Sequence, residues 1–148
     1  MKEPSRLITF FMKPLHQAGL IALLTIVLTL GDHFMPHDDA FFKDNAGTWI
    51  VSTAMVLLFI ILNTLVALVI GPVIKYWTQS IMMFVVVLAF AYGWSYLLSG
   101  KHIDDVGSFR WIWIVLGMVY IVFFGIARSV KNIVDFAIKQ DNKLRGEE

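Results

Sequence analysis

Three of the four histidines in this 148-residue chain lie in two short, aspartate-rich segments. The first segment contains His33, His37 and Asp38, and the second contains His102 and Asp104. Neutral imidazole and carboxylate groups are good ligands for zinc, manganese, nickel or copper(II). These five residues therefore form a candidate site for a divalent metal, and an open coordination position on such a metal would activate water.

Other interpretations of these two segments stay open. Histidine and aspartate also keep an exposed loop hydrated, and imidazole changes charge near neutral pH, so His33, His37 and His102 are candidates for a pH sensor as well. Pro36 lies between His33 and His37 and disfavours one continuous helix that presents both rings. Because the chain has no cysteine, disulfides, thiolate metal ligands and iron–sulfur clusters are excluded.

Long apolar segments surround these two polar segments. Hydrophobic residues make up 58% of the chain and charged residues only 16%, and the apolar residues concentrate at 15–31, 49–71, 78–98 and 109–127. About 20 helical residues cross the hydrocarbon core of a bilayer. We therefore predict one all-α domain over residues 1–148, a bundle of four transmembrane helices. Residues 15–31 are expected to remain as the first helix, because no small-x-small cleavage site follows them.

The distribution of lysine and arginine predicts the orientation of this bundle. These residues concentrate in the N-terminal arm and the C-terminal tail, whereas the connections after the first and third spans are rich in aspartate. Because basic residues accumulate on the cytoplasmic side, both termini are predicted to be cytoplasmic, in the inner membrane. Trp49, Trp77, Trp111 and Trp113 fall near span ends and are predicted at the membrane–water boundaries.

Two amphipathic segments flank the predicted spans. Apolar and basic residues mix in residues 5–13, before Pro14, which predicts a short interfacial helix. After the fourth span, apolar residues recur at helical spacing over about residues 126–145, which predicts a C-terminal helical extension in the cytoplasm. This extension is expected to lie against anionic lipid or to bind a partner protein.

The interior of the predicted spans contains few polar residues. No ionisable residue lies in the middle of a span, so a carrier with a buried carboxylate and a bis-histidine haem both lack a candidate. Asn63 and Thr64 lie in the second span, and Asn63 needs a hydrogen-bond partner on another helix or in a wet cavity. We expect these residues to serve in helix packing or, in an oligomer, as a polar ring around a pore. Gly93, Gly117 and Gly125 are candidates for close helix approach.

These patterns favour a non-enzymatic function. The sequence contains no phosphate loop, nucleophile elbow or zinc-protease motif, and its short basic tail disfavours nucleic-acid binding. The predicted function is an oligomeric component of the lipid bilayer, a channel-like or accessory subunit in a homo-oligomer or a larger membrane complex. One alternative is a metal-binding protein or metalloenzyme whose only cofactor is a divalent metal at the outer face. The other is an adaptor that recruits a cytoplasmic protein partner through residues 126–145.

Overall fold

Four long helices account for most of the residues that the computed structural model describes, which are 13–34, 46–70, 74–107 and 109–146. The helices are α1 (Pro14–Phe34), α2 (Ala46–Ile70), α3 (Ile74–Ser99) and α4 (Phe109–Arg145), and a 3-10 turn, Ile103–Val106, lies between α3 and α4. All four helices are long and apolar enough to cross a membrane. The prediction of an all-helical chain with four membrane-spanning helices is confirmed.

The helices extend beyond the apolar segments that predicted them. α1 continues past residue 31 to Phe34, α2 begins at Ala46, and α3 begins at Ile74. Hydropathy identifies only the lipid-facing length of a helix, whereas the backbone hydrogen bonds continue into more polar residues at both ends. The interfacial helix predicted for residues 5–13 lies outside the described residues, apart from Lys13.

Consecutive helices run antiparallel, and α2 occupies the centre. α2 packs on α1, α3 and α4, while α1 also packs on α3. Asn63, late in α2, contacts Tyr76, early in α3, and Ser52, early in α2, contacts Ser95, late in α3. We name the end with the start of α1 and the start of α3 the tail end. The opposite end, with the 3-10 turn, is the loop end.

The core is built around α2 and closed by aromatic rings. Phe59 and Ile60 of α2 are fully buried. Phe84 of α3 stacks on Tyr120 of α4, with ring centroids 4.1 Å apart. The prediction of close helix approach at the three glycines is wrong within this chain, because a Cβ added at any of them would meet no atom within 4 Å. Large side chains, rather than glycines, therefore set the helix spacing.

α4 is much longer than a membrane crossing requires. Its 37 residues correspond to about 55 Å, against a hydrocarbon core of about 30 Å. Ala127 is its last buried residue, and the helix continues without a break to Arg145. We name residues 128–145 the C-terminal extension. The helical continuation predicted from the sequence is present, and its cytoplasmic placement stays a prediction.

Candidate functional site

A group of four hydrogen-bonded polar side chains lies inside the bundle near the tail end. Asn63 is fully buried, and its Nδ2 donates to the side-chain oxygen of Gln17 at 3.0 Å. The hydroxyl of Tyr120 donates to Oδ1 of Asn63 at 3.5 Å, and the hydroxyl of Tyr76 donates to the backbone oxygen of Asn63 at 3.4 Å. Each of the four helices contributes one residue, and we name this group the buried amide layer.

The buried amide layer is suited to holding the helices together. Its members are neutral amides and phenols that hydrogen-bond to one another, and a bond between helices in lipid contributes roughly 0.6 to 2 kcal/mol. The Asn63 side chain faces the interior of its own chain. A pore ring between protomers would need this side chain at the outer surface. Thr64, half-buried, donates to the backbone oxygen of Ile60 at 2.7 Å within its own helix.

Three members of the buried amide layer were missed at the sequence level. Gln17 stands in the first turn of α1, where hydropathy suggests access to water, yet only 2% of its surface is exposed. Tyr76 and Tyr120 have the composition of ordinary interfacial or core aromatics. The available signal was Asn63 itself, because a buried amide requires partners at the same depth on neighbouring helices.

The loop end contains indole–hydroxyl pairs. Trp49 donates to Oγ of Ser99 at 3.0 Å, and Trp113 donates to Oγ1 of Thr53 at 3.0 Å. Both tryptophans are buried, so the prediction that they lie at the membrane–water boundary is wrong. An indole N–H that finds a hydroxyl on a neighbouring helix does not need water. Trp111 is 69% exposed, as a boundary or lipid-facing residue would be.

The predicted metal ligands are only partly described. His102 lies beside the ring of Tyr96, with centroids 5.0 Å apart, and Asp104 pairs with Arg110 at 3.6 Å. The backbone of His33 belongs to the last turn of α1, but its side chain lies outside the described residues, together with all of His37 and Asp38. Across residues 13–34, 46–70, 74–107 and 109–146, no group of three potential ligands is placed to hold a metal. The metal site stays a prediction.

The C-terminal extension presents an apolar face and a charged face. Val130, Ile133, Ala137 and Leu144 follow the spacing of three, four and seven residues that places side chains on one side of a helix. Large apolar side chains on this face and its edges are exposed: Val130 45%, Ile133 68%, Val134 44%, Phe136 65%, Ile138 53% and Leu144 86%. We name this set the apolar stripe.

Charged side chains cover the rest of the extension. Lys131 pairs with Asp135 at 3.8 Å and Arg145 pairs with Asp141 at 3.1 Å, each one helical turn apart. At the base of the extension, the guanidinium of Arg128 lies 5.4 Å above the ring of Trp77. The extension thus begins from a fixed point on the bundle and carries its own ion pairs.

The comparisons with known proteins add no further constraint. No protein family model, curated protein or solved structure matches this chain. The functional argument therefore depends on the geometry of the buried amide layer, the loop end and the C-terminal extension.

Proposed function

We propose that this protein is an accessory subunit of a membrane complex, which holds a rigid helix at the membrane and binds a partner protein through it. The single observation that carries this proposal is the exposed apolar stripe on an unbroken extension of α4. Exposed apolar surface of this extent on a helix is typical of a binding face. In this proposal the four-helix bundle is the membrane anchor, and the tail end faces the cytoplasm.

The direction of the extension favours a protein over the lipid surface as its partner. The extension continues the axis of a helix that crosses the bilayer, and residues 126–145 contain neither proline nor glycine to bend it. An interfacial helix instead lies in the plane of the membrane with its apolar face in the acyl region. About 27 Å of helix therefore projects away from the bilayer, where the apolar stripe is in contact with water unless a protein covers it.

The charge of the extension favours an acidic partner over a second copy. Its five basic residues outnumber its two aspartates, and both aspartates already pair within the helix. Two copies side by side would bring together two helices of net charge +3. A partner helix with an apolar face flanked by acidic residues would match both the apolar stripe and Lys139 and Lys143 at its edge.

Photocrosslinking in native membranes tests this proposal. A photoreactive amino acid at Ile133 is compared with the same group at Asn142, which lies nine residues on and therefore on the opposite side of the helix. The proposal predicts crosslinks from Ile133 only, to a protein segment that is apolar and acidic. Equal yields from both positions, crosslinks to lipid or to a second copy, or no crosslink at all would each overturn it.

A charge-reversal pair tests the acidic character of the partner. Lys139→Glu combined with Lys143→Glu should abolish the Ile133 crosslink by like-charge repulsion, and the matched change Lys101→Glu at the loop end should leave it intact. Charge reversal of the facing acidic residues on the identified partner should restore the crosslink. If the Lys139 and Lys143 changes have no effect, the partner is not recognised by charge and that part of the proposal is wrong.

A further inference from the structure

A groove of about 470 Å³ opens at the tail end, between the start of α1 and the early turns of α3. Lys13, Pro14, Leu15, Gln79 and Met83 line it. None of these residues belongs to the buried amide layer or to the C-terminal extension. We propose that this groove binds an anionic phospholipid, with the headgroup at Lys13 and Gln79 and an acyl chain along Leu15 and Met83.

The polarity of the groove changes with depth in the way that a phospholipid requires. Lys13 precedes the first residue of α1, and Gln79 lies one turn nearer the tail end than Met83, which is about 6 Å deeper along α3. Leu15 is 63% exposed and faces the same opening. The groove therefore offers an ammonium and an amide at the level of the headgroups and apolar surface at the level of the acyl chains.

The charge of Lys13 supplies the preference for an anionic lipid. The ion pairs within the described part of the chain join Arg110 to Asp104, Lys131 to Asp135 and Arg145 to Asp141, and none involves Lys13. A phosphate without a compensating choline or ethanolamine group would complement this ammonium best.

The lining also favours a lipid over a free phosphate ion. Sites for small anions surround the ion with several N–H donors or arginines. Here one ammonium and one amide stand beside three apolar residues, Pro14, Leu15 and Met83. A volume of this size fits a headgroup and the first part of an acyl chain, since pockets of roughly 300–1,000 Å³ hold ligands of comparable size.

Native mass spectrometry of the full-length protein tests the lipid site. The purified protein is titrated with phosphatidylglycerol or phosphatidylcholine, and the retained lipid is counted. We expect preferential retention of phosphatidylglycerol, reduced about five-fold by Lys13→Gln. The matched variant Lys101→Gln removes the same charge at the loop end and should retain phosphatidylglycerol as the wild type does.

A second variant tests the apolar part of the groove. Met83→Trp adds bulk below the headgroup position and should lower retention of both lipids, while circular dichroism checks that the helices remain. Equal retention of the two lipids by the wild type, or equal losses in Lys13→Gln and Lys101→Gln, would overturn the proposal. Displacement of phosphatidylglycerol by millimolar inorganic phosphate would assign the groove to a free anion and overturn it as well. Because Lys13 is exposed, its variant decides the question even if Met83→Trp does not fold.

Discussion

The side chain of Asn63 on α2 donates a hydrogen bond of 3.0 Å to the side chain of Gln17 on α1, 46 residues earlier in the chain. Tyr76 on α3 and Tyr120 on α4 contact the same asparagine, so one amide connects all four helices. In the interior of a bilayer these groups have no water as an alternative partner. The bonds therefore fix the rotation and depth of each helix relative to α2.

Replacing Asn63 by leucine should destabilise the bundle by about 1–2 kcal/mol, because Gln17 and Tyr120 lose a buried partner. The measurement is the free energy of unfolding in a titration of mixed micelles with denaturing detergent. Thr64→Val is the matched control, since the Thr64 hydroxyl bonds only within its own helix and its loss should cost less than about 0.5 kcal/mol. Equal effects of the two changes would show that the buried amide layer contributes no stability.

The pair Gln17 and Asn63 should also be energetically coupled. Removing either one leaves the other buried and unsatisfied, whereas Gln17→Leu with Asn63→Leu removes both ends of the bond. The double variant should therefore lose less stability than the sum of the single variants, by about 0.6–2 kcal/mol. A double-mutant cycle of unfolding free energies measures this difference. Strict additivity would mean that the two side chains act independently.

The hydropathy of the chain was enough to predict the helices, and it was not enough to predict their contacts. Each span needs only a run of apolar residues, which is a property of the local sequence. The partner of a polar residue depends instead on how each helix is rotated, which long-range packing decides. The need of Asn63 for a partner was therefore predictable, but its bond to Gln17 was not.

Trp49 shows the same limit at the loop end. Its position at the start of a span is also typical of an interfacial tryptophan, and the residue type alone does not distinguish the two environments. Trp49 is 0% exposed, because Ser99 of α3 accepts its N–H and Tyr92 packs on its ring with centroids 5.5 Å apart. By contrast, the C-terminal extension was predictable, since its helical spacing is local.

Trp49→Phe should destabilise the protein by about 1–2 kcal/mol. The change removes the hydrogen bond to Ser99 and part of a fully buried ring. Trp111→Phe is the matched control, because Trp111 is 69% exposed and its replacement should change stability by less than about 0.5 kcal/mol. Thermal unfolding in detergent, followed by circular dichroism, gives both values. A larger effect at Trp111 than at Trp49 would contradict the assignment of Trp49 to the core.

Ending the chain after Ala127 should separate the membrane bundle from its binding helix. No described residue beyond Ala127 is buried, so the shortened protein should keep the unfolding free energy of the full-length chain within about 0.5 kcal/mol. Its association with the partner should be lost, because the apolar stripe is removed. The matched variant ends after Gln140 and retains Val130, Ile133 and Ala137, so it should bind more weakly but detectably. Two measurements decide the matter: thermal unfolding in detergent, and recovery from native membranes of the partner identified by crosslinking at Ile133. A bundle that unfolds without the extension would show that residues 128–145 serve folding, and undiminished recovery of the partner would place the binding surface elsewhere on the protein.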